Sequence, residues 1–238
     1  TGKWISESSH ICAGVDSYYE YLYKSFLMFG DPELGDIWNA SIGPVNRYLA
    51  ETHDGKLWYG RANMNTGVLN SSVITLYDAF FPALLALSGD FKRAGKLQET
   101  WDWVWNKYGL EPTVYDYKTG KSNYPVYDLN PEIIESAYYL YHFTGDQTYY
   151  DMALQYWNDI NEYCKTDIAY TAVANVETME KKDYMATYFI AETLKYFYLI
   201  FSYDRDEFDF DNVIFNTEAH PFYRDRIDKE EAKIRLGF

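Results

Sequence analysis

One short phrase recurs along this chain and narrows what it can fold into. It reads Phe29-Gly30-Asp31, then Ser88-Gly89-Asp90, then Thr144-Gly145-Asp146. The glycines stand 59 and 56 residues apart (89 − 30 and 145 − 89). Each phrase closes an apolar stretch of helical spacing: Tyr18 to Phe29, Phe80 to Leu87 and Ile133 to Phe143. Glycine suits the left-handed position just past a helix end, and aspartate suits the N-cap of the next helix. Gly-Asp is therefore a helix stop followed by a helix start, the turn of a helical hairpin. A fourth unit lacks the glycine; its helix is expected near Tyr188 to Ser202 and its turn in the acidic stretch Tyr203 to Asn212. A second helix of a unit is legible at Tyr149 to Cys164, where Tyr149, Met152, Tyr156, Ile160 and Tyr163 share one face. Alternating strand patterns are few and short. The expected fold class is all-α: four helical hairpins, stacked as a solenoid or closed as an α/α barrel.

The acids favour the barrel. Asp16 and Glu20 lie 14 and 10 residues before Gly30, Asp78 lies 11 before Gly89, and Glu132 and Glu135 lie 13 and 10 before Gly145. Glu192 holds the matching phase of the fourth unit, 11 before Tyr203. In a barrel, inner helices of like direction bring these groups to one mouth. The helix macrodipole also draws acids to N-terminal ends. It explains less well why they stand beside large aromatics, as in Asp16-Ser17-Tyr18-Tyr19-Glu20, so a functional reading is preferred.

Composition excludes more than it identifies. A formal charge of -15 over 238 residues disfavours nucleic acid and anionic membranes, but not a cation or a neutral ligand. Aromatics make up 20% of the chain, which suits a ring-packed core and also a sugar site. Cys12 and Cys164 have no zinc spacing; whether they pair stays open. Two sequons, Asn39-Ala40-Ser41 and Asn70-Ser71-Ser72, are compatible with a lumenal compartment. No signal peptide opens the chain and no apolar run is long enough to span a bilayer. Thr1 in place of Met leads us to expect a processed product or a fragment. Asp204, Asp206, Asp209 and Asp211 lack the turn glycine of a calcium loop and read as a solvated acidic loop.

Four segments, in order, resemble glycoside hydrolase family 47, the class I α-1,2-mannosidases. They are Gly14-Val15-Asp16-Ser17-Tyr18-Tyr19-Glu20-Tyr21-Leu22, Pro131-Glu132-Ile133-Ile134-Glu135-Ser136, Ala191-Glu192-Thr193-Leu194-Lys195-Tyr196 and Phe215-Asn216-Thr217-Glu218-Ala219-His220-Pro221. The resemblance implies the C-terminal half of an (α/α)7 barrel over residues 1–222, followed by a charged tail, 223–238. It implies an inverting, Ca²⁺-dependent α-mannosidase trimming mannose-rich N-glycans of misfolded glycoproteins in the endoplasmic reticulum lumen. Its partners would be the glycan and the missing N-terminal half, which in the family supplies the general acid. Inversion needs two carboxyl groups about 6.5–9.5 Å apart, leaving room for a water. A hard, oxygen-seeking cation suits both that water and sugar hydroxyls.

Carried over by position, Asp16 looks like the general base and Thr217 like the calcium ligand, through its hydroxyl and main-chain carbonyl. Glu132, Glu135, Glu192 and Glu218 look like the acidic shell that holds calcium-bound waters and sugar hydroxyls, Glu132 being counted with Asp16 as catalytic. Glu20 braces the site one helical turn from Asp16, and Tyr188 falls where the family puts an aromatic under the bound mannose. Departures remove sugar-binding groups of the trimming enzymes: Gly14 and Asn130 stand for arginines, Thr75-Leu76 for Asp-His, and Ala186 for Glu. Gly14 and Phe80-Phe81-Pro82 lean towards the EDEM-like branch, which acts in glycoprotein degradation. The alternative expectation is a mannose-binding, lectin-like module of the same fold with little turnover.

Overall fold

The computed structural model describes residues 2, 4–202 and 209–237. Six helices pair as three hairpins: α1 (Asp16–Phe29) with α2 (Pro32–Tyr48), α3 (Phe81–Leu87) with α4 (Phe91–Tyr108), and α5 (Glu132–Thr144) with α6 (Gln147–Tyr163). The turns form as their sequence dictates. Gly30 and Gly145 are left-handed C-caps at φ 72° and 66°, and Gly89 has φ 89°. Asp31, Asp90 and Asp146 then accept from the backbone N–H of Glu33, Arg93 and Thr148 at 2.9, 3.2 and 2.9 Å. Each aspartate thereby satisfies a donor that the new helix leaves unpaired.

The first helix of each hairpin lies inside. All of α3 but its last residue is buried, and α3 packs on α5, which packs on α7 (Leu194–Phe201). The second helices lie behind them, α4 against α3 and α5, and α6 against α5 and α7. One buried hydroxyl joins two inner units. Ser136 on α5 donates to the Ala79 carbonyl at 2.6 Å and accepts from the Ala83 N–H at 3.0 Å. Ser136→Ala strands both groups and is expected to cost about 1–3 kcal/mol of stability. Urea denaturation measures this; a loss below about 0.5 kcal/mol, ordinary for a surface change, would deny the hydroxyl that role.

One expectation needs correction. The fold is all-α only approximately, because small antiparallel sheets fill the connections between hairpins. Ala50–His53 pairs with Lys56–Tyr59, and Val73–Thr75 pairs with Val114–Asp116, which pairs with Lys121–Tyr124. Ala172–Asn175 pairs with Glu180–Lys182, and Val213–Phe215 with Pro221–Tyr223. Strands of three or four residues are too short for alternation to show. The fourth helix forms where it is expected, and a π-helical turn, Phe189–Thr193, near its start runs directly into α7. Most of the expected fourth turn, 203–208, lies outside the described residues, Asp204 and Asp206 included.

The tail carries a short surface helix, α8 (Lys229–Leu236), capped by Asp228 and resting on α1. Cys12 and Cys164 are both buried and both free. Among the described residues no helix is long and apolar enough to cross a membrane.

Candidate active site

The topology decides where chemistry gathers. The Gly-Asp turns occupy one end of the hairpins. The sheets in the connections that lead into α3, α5 and the π turn gather at the opposite end, around those helices' N-termini, whereas the hairpin of Val213–Phe215 with Pro221–Tyr223 lies against the later residues of α1, Met28 and Phe29. Asp16 is the first residue of α1 and Glu132 the first of α5. Asp78 lies in a 3₁₀ turn, Leu76–Phe80, that leads into α3, and Glu192 lies in the π turn. Turns of this kind inside a helix re-aim side chains and recur at functional sites.

Electrostatic neighbours link these acids into one group. Glu192 senses Glu218 and Glu20; Glu132 senses Glu192 and Glu135; Asp78 senses Asp16. Burial pushes the Glu132 carboxyl up to about 8, with the charges of Glu192 and Glu135 adding to it. Glu132 Oε2 is buried without a hydrogen-bond partner. Burial, then Glu218, carries Glu192 up to about 7. Burial carries Asp78 to about 7 while the Thr75 N–H, which donates to it at 2.9 Å, pulls the other way. Asp16 accepts from the Ser17 N–H at 2.8 Å and stays partly open to solvent.

A buried lysine anchors the group. Lys24 donates to Glu20, one turn earlier on α1, and both side chains are nearly sealed from solvent. Burial alone would lower the Lys24 pKa; Tyr139, Glu20 and Glu135 reverse this and hold it above the ordinary lysine value. Glu135 accepts from the Tyr196 hydroxyl at 3.1 Å. Burial raises its carboxyl although Lys24 draws it down.

Thr217 and Glu218 sit at the exposed tip of the hairpin whose first strand, Val213–Phe215, is buried. The tip is built tightly. Asn216 Oδ1 accepts from the N–H of Glu218 and His220 at 3.1 and 2.7 Å, and Ala219 takes a positive φ of 55°. Lys195 donates to the Ala219 carbonyl at 2.6 Å, and the Thr217 N–H points to the Tyr21 hydroxyl at 3.3 Å. The hairpin thus hangs Thr217 between α1 and α7, near Glu192.

Tyr188 donates to the Asp128 carbonyl at 3.0 Å and contacts Asn130 Oδ1 at 3.5 Å. Asn130 is buried, and its amide lowers the neighbouring Glu132 carboxyl. Glu20, Glu132, Glu135, Glu192 and Glu218 are thus linked as electrostatic neighbours, Tyr188 adjoins Glu132, Asp16, one turn before Glu20, adjoins Asp78, and Thr217 is joined to α1 through Tyr21. Sequence reasoning missed Lys24 and also Glu111. The latter is fully buried beside Glu132, neither of its oxygens has a partner, and burial raises its carboxyl well above the usual range. A lysine four residues after a glutamate reads as a surface pair, and nothing local marks Glu111.

A metal would find oxygen donors here. The partnerless oxygen of Glu132, the surplus of carboxyl groups, and the hydroxyl and carbonyl offered by Thr217 suit a hard cation. Among the described residues no three His, Cys, Asp or Glu side chains lie close enough to grip a metal between them.

The model of glycosyl hydrolase family 47 matches residues 1–224. The chain belongs to this family. It is 36% identical over 224 residues to alpha-mannosidase I MNS5 of Arabidopsis thaliana, covering 93% of this chain and 38% of that protein. It is 33% identical to ER degradation-enhancing alpha-mannosidase-like protein 1 of Schizosaccharomyces pombe, covering 93% and 28%. Among solved structures, an alpha-1,2-mannosidase from Trichoderma reesei superposes with a TM-score of 0.78 at 25% identity, over 94% of this chain and 54% of that one. The chain thus spans about a third of these curated relatives and about half of that enzyme. The α/α barrel expectation agrees with this neighbour, with the small sheets added.

Proposed function

We propose that this chain forms part of a calcium-dependent, inverting α-1,2-mannosidase of the ER degradation-enhancing kind. Its substrates would be mannose-rich N-glycans on misfolded glycoproteins in the endoplasmic reticulum lumen. The observation that carries the reading is the placement of Asp16, Glu132 and Glu192 at the N-terminal ends of three different inner helices, with Glu218 of the hairpin tip beside Glu192 and the Thr217 N–H directed at Tyr21 of α1. The names of the relatives support the substrate class.

In this reading Asp16 takes the proton of the attacking water. Glu132 and Glu192 hold sugar hydroxyls and that water, and Tyr188 offers its ring to the mannose. Thr217 would hold a calcium ion, which supplies a fixed positive charge for water and sugar oxygens. The proton for the departing sugar comes from the remainder of the barrel. A lectin-like module is the second reading, favoured by Asn130: a neutral, buried amide tied to Tyr188 and Glu132 cannot replace an arginine's fork of donors.

Calcium tests the site and glycan release separates the readings. Calorimetry is expected to show one ion bound, raising the melting temperature, since a ligand of the folded state alone stabilises it. Thr217→Ala is expected to lose most of that uptake and glycan binding with it. Equal calcium binding by parent and variant would sink the assignment. Binding without release of mannose, measured in a domain holding the whole barrel, selects the lectin.

A further inference from the structure

Two of the small sheets bring tyrosines to the rim of the acidic end. Thr75 pairs with Val114 and Val114 with Tyr124, so Tyr124 and Tyr77, two residues beyond Thr75, stand at the same end of one sheet. Facing it, Tyr184 follows the strand Glu180–Lys182, whose partner strand is bridged through Val173 to Tyr127. Between them lies Asp128. Its carboxylate accepts from Lys182 Nζ at 3.1 Å, and that ammonium stands 4.9 Å from the centre of the Tyr184 ring. Tyr77 has Glu132, Asp128, Tyr124 and Tyr184 as its charged or titratable neighbours, and Tyr188 has Asp128, Glu132, Tyr184 and Tyr77. Tyr77, Tyr124 and Tyr184 remain 36%, 50% and 44% exposed.

Scattered exposed aromatics are ordinary. Three that neighbour one another through Tyr77, beside one ion pair and a candidate catalytic carboxyl, are not scattered. We propose that Tyr77, Tyr124 and Tyr184, with the Asp128–Lys182 pair, form a saccharide subsite beside Glu132 for a further residue of a neutral oligosaccharide. The subsite rests on the mannosidase reading and extends it. A tyrosine offers a flat apolar face to the CH side of a sugar and a phenol to its hydroxyls. Asp128 accepts and Lys182 donates, and their charges cancel. A neutral sugar therefore fits where a sulfated or uronic one would meet the acids behind, in a chain of net charge -15.

Calorimetry with a neutral mannose oligosaccharide and with methyl α-mannoside tests this on the full-length protein. Each Tyr→Ala change at 77, 124 or 184 is expected to weaken oligosaccharide binding about 2- to 12-fold, the span of one aromatic contact. Methyl α-mannoside binding and the melting temperature stay at parent values. Tyr→Phe retains most of the oligosaccharide affinity. Parent-like oligosaccharide binding in all three alanine variants overturns the subsite. So does an equal loss of both ligands, which would mean that the rings only hold the inner site in shape. Tighter binding of a sulfated oligosaccharide overturns the neutral assignment. A parent that binds neither neutral ligand defeats the mannosidase and lectin readings together, a different result from any of these.

Discussion

Asp16→Asn, in a domain holding the whole barrel, is expected to lower kcat for mannose release by about 10²–10⁴-fold, the usual contribution of a general base. The glycan dissociation constant should change little. Asparagine keeps the shape at the first position of α1 and can still accept from Ser17, but it cannot take a proton from water. Chemical rescue separates the base from its neighbours. Azide attacks without giving up a proton, so it should restore turnover to Asp16→Asn and yield the β-mannosyl azide, the C1–O bond breaking as the C1–N bond forms. Glu132→Gln, which disturbs substrate and water placement, should lose activity without rescue. If azide restores Glu132→Gln and leaves Asp16→Asn inactive, the roles are exchanged. If Asp16→Asn retains near-parent kcat, the residue has no part in the chemistry.

What was legible and what was not divides along physical lines. The three Gly-Asp turns could be read because their chemistry is local: a left-handed position needs glycine and a cap needs a short acceptor, whatever surrounds them. The acids at 16, 132 and 192 were legible by their common phase before those turns, a property of the repeat. The sheets escaped because each strand is only a few residues long and is paired with distant chain. The π turn at Phe189–Thr193 escaped because it keeps helical composition while changing where Glu192 points. The partners of the acids were the least legible. Nothing beside Asn130 in the sequence marks the Tyr188 hydroxyl that reaches it from another unit. Ser136 looked like one small residue in an apolar helix, yet it bonds to the segment entering α3. Such contacts join residues more than fifty positions apart, and no window of sequence contains both ends.

Lys24→Met is expected to produce the largest loss of stability of the substitutions considered. Lys24 is nearly sealed from solvent and is the buried cation that Glu20 and Glu135 face. Methionine fits the space of the lysine stem but leaves two carboxyl groups uncompensated. Breaking a buried pair from one side costs about 3–5 kcal/mol. Urea denaturation should show this loss near neutral pH; a change below about 1 kcal/mol, the scale of an exposed pair, would mean that Lys24 is not the anchor. The pH dependence has a definite sign. A carboxyl whose folded pKa lies above its unfolded value binds more protons when folded, so stability falls as pH rises between the two. Glu132 already behaves this way, from 4.5 to about 8, and burial raises Glu135 in the same direction. Without Lys24 the strongest pull on Glu135 is gone and the Tyr196 hydroxyl is left to draw it down, so the variant should come closest to the parent near the ordinary glutamate value and fall furthest below it towards pH 8. Glu20→Gln placed on Lys24→Met removes one of the stranded carboxyl groups and should recover part of the loss. A deficit that is constant across that range would locate the cost in packing and not in charge.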